Sequence, residues 1–503
     1  MSTLLVFVHG WSVTNTNTYG GLPDRLRNEA KAAGLGIEFR HVYLGRYISF
    51  HDEVTLADVA RAFDAAVNDT LGTEIAAGKR FACITHSTGG PVVREWWSRY
   101  WSKQSASVEC PMSHLIMLAP ANFGSALAQI GKARLGRLKS WFNGVEPGTG
   151  VLDWLELGSR SAWALNTEWI RSGARKMINQ GAYPFVLTGQ TIDRKFYDHL
   201  NSYTGETGSD GVVRVAAANM NARYIRFEQE TPRTSKGKLI APMLEPTEVK
   251  TSPTTAMRIV RGAAHSGSDK GIMRSVYRPA KHPRGKDVTD SILQCLAVAN
   301  KDAYKALTAD HAQQSTAVQK EEQIEVEERL LLRDPVFVHD RYSMVIFRIT
   351  DDQGYPVNDF DLLITAGTEG DPNRLPSGFL VDRQQNRRSR NTVTLYFNYD
   401  VMIGSPEIRH DGRVIRDASD GAGCLGFRID ARPTDGFVHY LPCEAKADAD
   451  KLKQVLQPNQ TTLIDIQLSR VVHKPVFEID KTKTSPAETR DFKRIKPGKA
   501  VLD

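Results

Sequence analysis

The sequence predicts an α/β domain, built on a mostly parallel sheet with helices on both faces and a helical cap, followed by an all-β sandwich. Three observations carry this prediction. Up to about residue 300, β-branched apolar runs alternate with longer amphipathic stretches, the pattern of strands joined by covering helices. Between two of those runs lie about sixty residues, too many for an ordinary connection, and an inserted cap is the natural reading. After Asp334 the texture changes to short alternating strands divided by turn residues, which argues for an antiparallel sandwich.

The elements follow in order. LLVFV (Leu4 to Val8) reads as a buried strand and IEFRHVYL (Ile37 to Leu44) as the next. From Thr55 to Ile75 the apolar residues Leu56, Val59, Ala60, Phe63, Ala66, Val67 and Leu71 recur at helical spacing on one face. RFACIT reads as a central strand, and a helix opens after it at Gly89 or Gly90. HLIMLAP (His114 to Pro120) and YPFVLTG (Tyr183 to Gly189) complete the sheet, with the cap between them at about 122–182. Residues 301–333 are polar and helix-prone, contain EEQIEVEE, and read as a linker closing a catalytic domain of residues 1–300. The sandwich spans 334–475 with strands MVIFRIT, DLLITAG, NTVTLYFNY, LGFRIDA and TTLIDIQL, and 476–503 is a basic, proline-containing tail expected to be loosely ordered.

A chain of 503 residues with 41% hydrophobic content can bury one large core and a smaller one. The formal charge of +7, from 65 basic and 58 acidic residues without a long block of one sign, does not indicate nucleic acid. It leaves attraction to anionic lipid open. Cys83, Cys110, Cys295, Cys424 and Cys443 lack CxxC spacing, so neither zinc nor a disulfide framework is suggested, and cytoplasmic synthesis fits. No Lys or Arg precedes the short run Leu4 to Val8, which argues against an ordinary signal peptide. No apolar stretch reaches the ~18 residues that a spanning helix needs. If the protein meets a membrane, it is expected to do so from the surface, or after export by a route that reads no cleavable signal.

Ser87 stands in ITHSTGG, between the strand FACI and the helix-starting PVVREWW. That is the context of a nucleophile elbow, whose tight turn demands small neighbours two residues away. Gly89 satisfies this on one side; Thr85 stands where the usual GxSxG pattern has glycine. His9 and Gly10 end the first strand in VFVHGW, ahead of Trp11. Backbone N–H groups of Trp11 and of Thr88, the residue after the serine, are the expected oxyanion donors, worth about 3 to 4 kcal/mol each in comparable sites. A base and its orienting acid must follow in the order Ser, acid, His. Asp210 in GSDGVVRV, with Gly211 for the turn, and His265 in the small-residue loop RGAAHSGSDKGIM satisfy that order. Competing candidates are Asp193 and Asp198 for the acid, and His199 or His282 for the base. His199 precedes Asp210, the wrong order. His86 points away by elbow geometry, and His51 and Asp52 have no motif support.

Together VFVHGW, THSTGG, LAPANFGS and SDGVV followed by a loop histidine resemble α/β-hydrolase lipases. The likeness is to bacterial triacylglycerol lipases, PGAP1-like hydrolases and type VI secretion lipase effectors, over roughly residues 1–300. The resemblance implies an acyl-enzyme on Ser87, His265 as base, Asp210 fixing the imidazole, and no metal or other cofactor. It also leaves open a delivery or immunity protein as partner, as for an exported antibacterial effector.

SALAQIGKARLGRLKSWF places Leu127, Ile130, Leu138 and Trp141 on one helical face among Lys132, Arg134, Arg137 and Lys139, a basic amphipathic stretch suited to a lipid surface. Trp154, Trp163 and Trp169 follow, either lining an acyl channel, sitting at a lipid surface, or packing the cap onto the sheet. Acyl esters of lipids are thus the expected substrate. A soluble short-chain carboxylesterase and a non-catalytic binding protein on the same fold are the rivals.

Overall fold

Strand β1 (Thr3–His9) is apolar at nearly every position because both of its faces are covered. Leu4, Val6 and Val8 enter one core, while Leu5 and Phe7 enter another. The computed structural model describes residues 3–10, 18–48, 53–131, 148–193, 206–230, 233–235, 238–240, 243–277, 283–326 and 336–472. β1 pairs in parallel with β2 (Ile37–Tyr43) and β3 (Phe81–His86); β4 (Met112–Leu118) and β5 (Tyr183–Thr188) continue the sheet. Two longer strands further along the chain, β6 (Ala222–Gln229) and β7 (Leu244–Thr251), leave it, and β8 (Ala256–Ile259) returns as its edge beside β5. The order is β8-β5-β4-β3-β1-β2, all parallel.

Helix α1 (Leu22–Ala32) packs on one face through Leu22 and Leu26. On the other face lie α2 (Leu56–Ala76) and α3 (Gly89–Tyr100). The start of α2 is fixed by a capping box, in which the Thr55 side chain accepts from Asp58 N–H and the Asp58 carboxylate accepts from Thr55 N–H. The cap joins the α2/α3 face through α4 (Thr149–Leu155), α5 (Arg160–Glu168), a π-helical turn at Trp169–Gly173 and α6 (Ala174–Asn179). α7 (Pro283–Leu296) returns to the α1 face. Among the described residues no helix is long and apolar enough to cross a membrane.

The second half adds β9 (Tyr342–Asp351), β10 (Phe360–Ala366), β11 (Leu380–Gln385), β12 (Thr392–Asn398), β13 (Leu425–Ala431), β14 (Cys443–Ala447) and β15 (Thr461–Leu468). They form a six-stranded sheet, β11-β12-β9-β15-β6-β7, and a three-stranded one, β10-β13-β14. Alternation along β9 explains the layering. Val345, Phe347 and Ile349 meet Leu362, Phe427 and Ile429 of the smaller sheet, closing the sandwich. Met344 and Ile346 point the other way, into the core shared with the cap.

Strands from both halves of the chain share the sandwich sheet. Strands β6 and β7, inside the expected catalytic domain of 1–300, are built into the sandwich sheet: β6 pairs with β15 in parallel. Pairing partners more than 200 residues apart leave no local pattern for a boundary to be read from. The expected helical linker is packed as well. Its helix α8 (Lys301–Glu321) buries Tyr304, His311 and Val318 against the first domain, and Tyr304 O–H donates to Pro184 O in β5. The tail 476–503 lies outside the described residues.

Candidate active site

All three expected catalytic residues stand beyond the carboxyl ends of strands of the parallel sheet, where open α/β sheets place their sites. Ser87 follows β3 directly and holds a φ of 52°, the strained left-handed conformation of an elbow. Leu118 O accepts from Ser87 N–H at 3.0 Å, and Ser87 O accepts from Ala121 N–H at 3.4 Å, so the end of β4 braces the turn. The Thr85 departure has a geometric explanation: the two small-residue positions face each other, and a Cβ at Gly89 would lie 3.1 Å from Thr85 Cβ. One side carries a side chain because the other has none.

Asp210 is fully buried in the loop after β5, and Gly211 beside it has a φ of 96°. Its Oδ1 accepts from Val212 N–H at 3.0 Å and Val213 N–H at 2.8 Å. Its Oδ2 lies 3.0 Å from Nδ1 of His265, in the loop after β8, and His265 Nε2 lies 3.0 Å from Ser87 Oγ. With the carboxylate accepting from Nδ1–H, Nε2 is left to accept the serine proton. The LAPANFGS stretch buttresses the acid: Ser125 O–H donates to Val212 O at 2.6 Å, and Asn122 Nδ2 donates to Ala218 O at 2.7 Å.

Thr88 is buried at the N-cap of α3, so its N–H precedes the helical ladder. Gly10 is half-buried at the end of β1, and Trp11 lies outside the described residues. His9 is buried with Nε2 3.0 Å from His41 Nδ1 and Nδ1 3.3 Å from Thr18 Oγ1. Burial first, then His41, lower its pKa to about 4, so it packs as a neutral ring. Asp193 is buried beside Gly267, but His265 Nδ1 bonds to Asp210 instead. Asp198, His199, His282, His51 and Asp52 lie outside the described residues.

Sequence reasoning missed what holds the base loop. His86 Nε2 lies 3.0 Å from His265 O; burial, then the neighbouring His265, hold its ring well below the usual imidazole range, so a neutral Nε2–H donates. Glu322 and Glu325, from the supposed linker, pin the same loop from outside. Glu322 accepts from Gly262 N–H, and Glu325 pairs with Lys270 at 3.0 Å and with His339 at 2.9 Å. Burial would raise the Glu325 carboxyl, but His339 and Lys270 hold it at about 2. The only available signal was the acidic cluster EEQIEVEE, which names no partner.

The cap tryptophans Trp154, Trp163 and Trp169 are all buried, with the Arg348 guanidinium 4.5 Å from the Trp163 ring centroid. They pack the cap between the two sheets. Of the basic amphipathic stretch, Leu127–Gly131 is a short helix, while Lys132, Arg134, Arg137, Leu138, Lys139 and Trp141 lie outside the described residues. Among the described residues no cluster of three or more His, Cys, Asp or Glu could hold a metal ion.

The whole architecture recurs in a solved structure. Phospholipase PlaB from Legionella pneumophila is 43% identical and superposes with a TM-score of 0.83, over 96% of this chain and 97% of that one. The chain belongs to the PlaB phospholipase family. A second structure, PlaB in complex with thio-NAD, matches at 41% identity and a TM-score of 0.82 over the same shares. No protein-family model matches the sequence, and no curated protein does. Membership of the PlaB family makes the chain a carboxylic ester hydrolase of the lipase/phospholipase type.

Proposed function

We propose that the chain hydrolyses acyl esters of phospholipids through an acyl-enzyme on Ser87. The observation that carries this is the continuous relay from Ser87 Oγ to His265 Nε2 and from His265 Nδ1 to Asp210, at 3.0 Å for each step. Ser87 Oγ attacks the acyl carbonyl as its proton passes to His265 Nε2, and Asp210 orients the imidazolium that forms. Thr88 N–H and Trp11 N–H receive the oxyanion. His265 returns the proton to the departing lysolipid or headgroup-bearing alcohol, and a water deprotonated by the same nitrogen then releases the fatty acid.

The test has two parts. A fluorophosphonate should label wild-type protein but neither Ser87→Ala nor His265→Ala, while His199→Ala should label normally. Incubation with a mixed phospholipid extract should release fatty acid and lysolipid by mass spectrometry. Labelling retained in His265→Ala overturns the mechanism; activity confined to water-soluble short-chain esters overturns the lipid substrate.

A second ligand is favoured by one observation. A cavity of about 710 Å³ lies between the two halves, within the usual size range of small-molecule sites. Its lining includes Arg223, Lys320, His339 and Arg416, and Arg341 paired with Asp400. Arg223 and Lys320 bring positive charge to that wall, which suits a phosphate group. Since PlaB was solved with thio-NAD, thio-NAD is the probe to use. It should raise the melting temperature of wild type but not of Arg223→Ala; no shift in wild type, or an equal shift in both, removes this reading.

A further inference from the structure

The loop that presents Asp210 is held at its neck by the sandwich. Residues Glu206 to Arg214 form a small closed turn: Val215 N–H donates to Gly208 O at 2.9 Å, and Asp210 N–H donates to Val213 O at 3.2 Å. On the incoming side, Tyr396 O–H of β12 donates to Gly208 O at 3.1 Å, and the Thr207 hydroxyl bonds the Tyr342 hydroxyl of β9. Gly208, with a φ of 73°, has no room for a side chain, because a Cβ would run into the Tyr342 ring and the Tyr396 hydroxyl.

On the outgoing side, Arg214 is fully buried, and its guanidinium lies 4.1 Å from the Tyr396 ring centroid. It donates from Nε and Nη2 to Glu206 at 2.9 and 2.7 Å, and from Nη2 to Asp382 of β11. Burial would lower the guanidinium's pKa, but Glu206 and Asp382 more than offset it. Glu206 belongs to the loop itself, whereas Asp382 comes from a strand 168 residues later. A planar guanidinium gripped from two sides and stacked on a ring is a fixed fork rather than a loose charge.

We infer that Arg214 and Asp382 are positioning residues for Asp210, so that the C-terminal sandwich is a working part of the esterase rather than an appended module. The inference rests on the Ser87, His265, Asp210 reading above. Asp210 sits four residues from Arg214; its carboxylate bonds Val212 N–H, Val213 N–H and His265, and the neck carries the loop that makes these bonds. Loss of the Asp382 carboxylate leaves Arg214 half-gripped, and Asp210 drifts relative to His265. Displacements on the order of 1 Å at a reacting constellation cost up to about 100-fold in rate.

The test uses the full chain. Asp382→Asn is compared with Asp382→Glu, which keeps the charge, and with Asn386→Ala. Asn386 donates to Leu157 O of the cap at 3.1 Å, a contact across the same two halves but away from the neck. Asp382→Asn should lower kcat on a soluble ester by about 10- to 100-fold with KM nearly unchanged. It should also move the acid limb of the pH–rate profile to lower pH, since a mis-set Asp210 stabilises the imidazolium less. Asp382→Glu should recover part of the rate. Asn386→Ala should lower the melting temperature without moving the profile. An unchanged kcat and profile in folded Asp382→Asn overturns the inference, and so does the same kinetic defect in Asn386→Ala. Failure of wild type to label at Ser87 would instead overturn the underlying mechanism, so the two failures are told apart.

Discussion

Ser87 holds a backbone conformation that costs of order 1–3 kcal/mol, and the residues two places to either side decide whether the turn can close. Thr85 is fully buried, and Gly89 packs against its Cβ. The pair accepts one side chain in total, so its two members are coupled. Gly89→Ala is expected to destabilise the protein by about 1–3 kcal/mol through overpacking, with a loss of Ser87 labelling. Thr85→Gly alone should label normally, and Thr85→Gly with Gly89→Ala should recover much of the loss. Urea unfolding and labelling rates of the three variants check this, and strictly additive effects would show that the two positions do not share space.

At the scale of the element, the cap and α8 are both packed into the body of the protein. Trp163 lies in the core that joins cap, α3 and the far face of β9, with Arg348 over its ring. Trp163→Ala is expected to cost about 3–5 kcal/mol of stability, as large buried aromatics do. A Trp163 serving as a lipid contact would instead lose activity on vesicles with its urea midpoint unchanged. Helix α8 carries His311, fully buried, with no partner for either ring nitrogen among the described residues. Burial, then Arg258, lower its pKa to about 4, and burial lowers that of His114 to a similar value. These histidines, with His9, are neutral when folded and titrate near 6.5 when unfolded. The unfolded chain therefore binds more protons between pH 6.5 and 4. Their contribution to stability is present above pH 6.5 and is lost as the pH falls towards 4. Urea midpoints measured across that window should fall with pH, and His311→Leu should flatten the fall; an unaltered slope would show that His311 is protonated in the fold.

At the scale of the molecule, the two halves are interleaved rather than strung together. β6 and β7, encoded before residue 252, complete a sheet whose other four strands lie after residue 341. Arg214 needs Asp382, and Glu325 joins His339 to the base loop through Lys270. A fragment ending at residue 333 would expose one edge of β6 and leave Arg214 without its second carboxylate. It is expected not to fold, and the full chain is expected to melt in a single transition. A soluble fragment with native-like circular dichroism and its own melting transition would show the halves to be independent.

The sequence alone determined whatever depends on neighbours in the chain. The strands from Leu4 to Val8 and from Phe81 to Thr85, the helix opening at Gly89 and the elbow at Ser87 follow from local periodicity and local sterics. The order of Ser87, Asp210 and His265 followed from how such sheets are threaded. Tertiary structure alone decided which sheet β6 and β7 join, that the cap tryptophans are interior, and that Asp382, Tyr396, Glu322 and Glu325 hold the loops presenting Asp210 and His265. The physical reason is that hydrogen bonds and ion pairs between residues tens to hundreds of positions apart depend on where the fold puts them. A lone Asp or Arg in sequence carries no record of its partner.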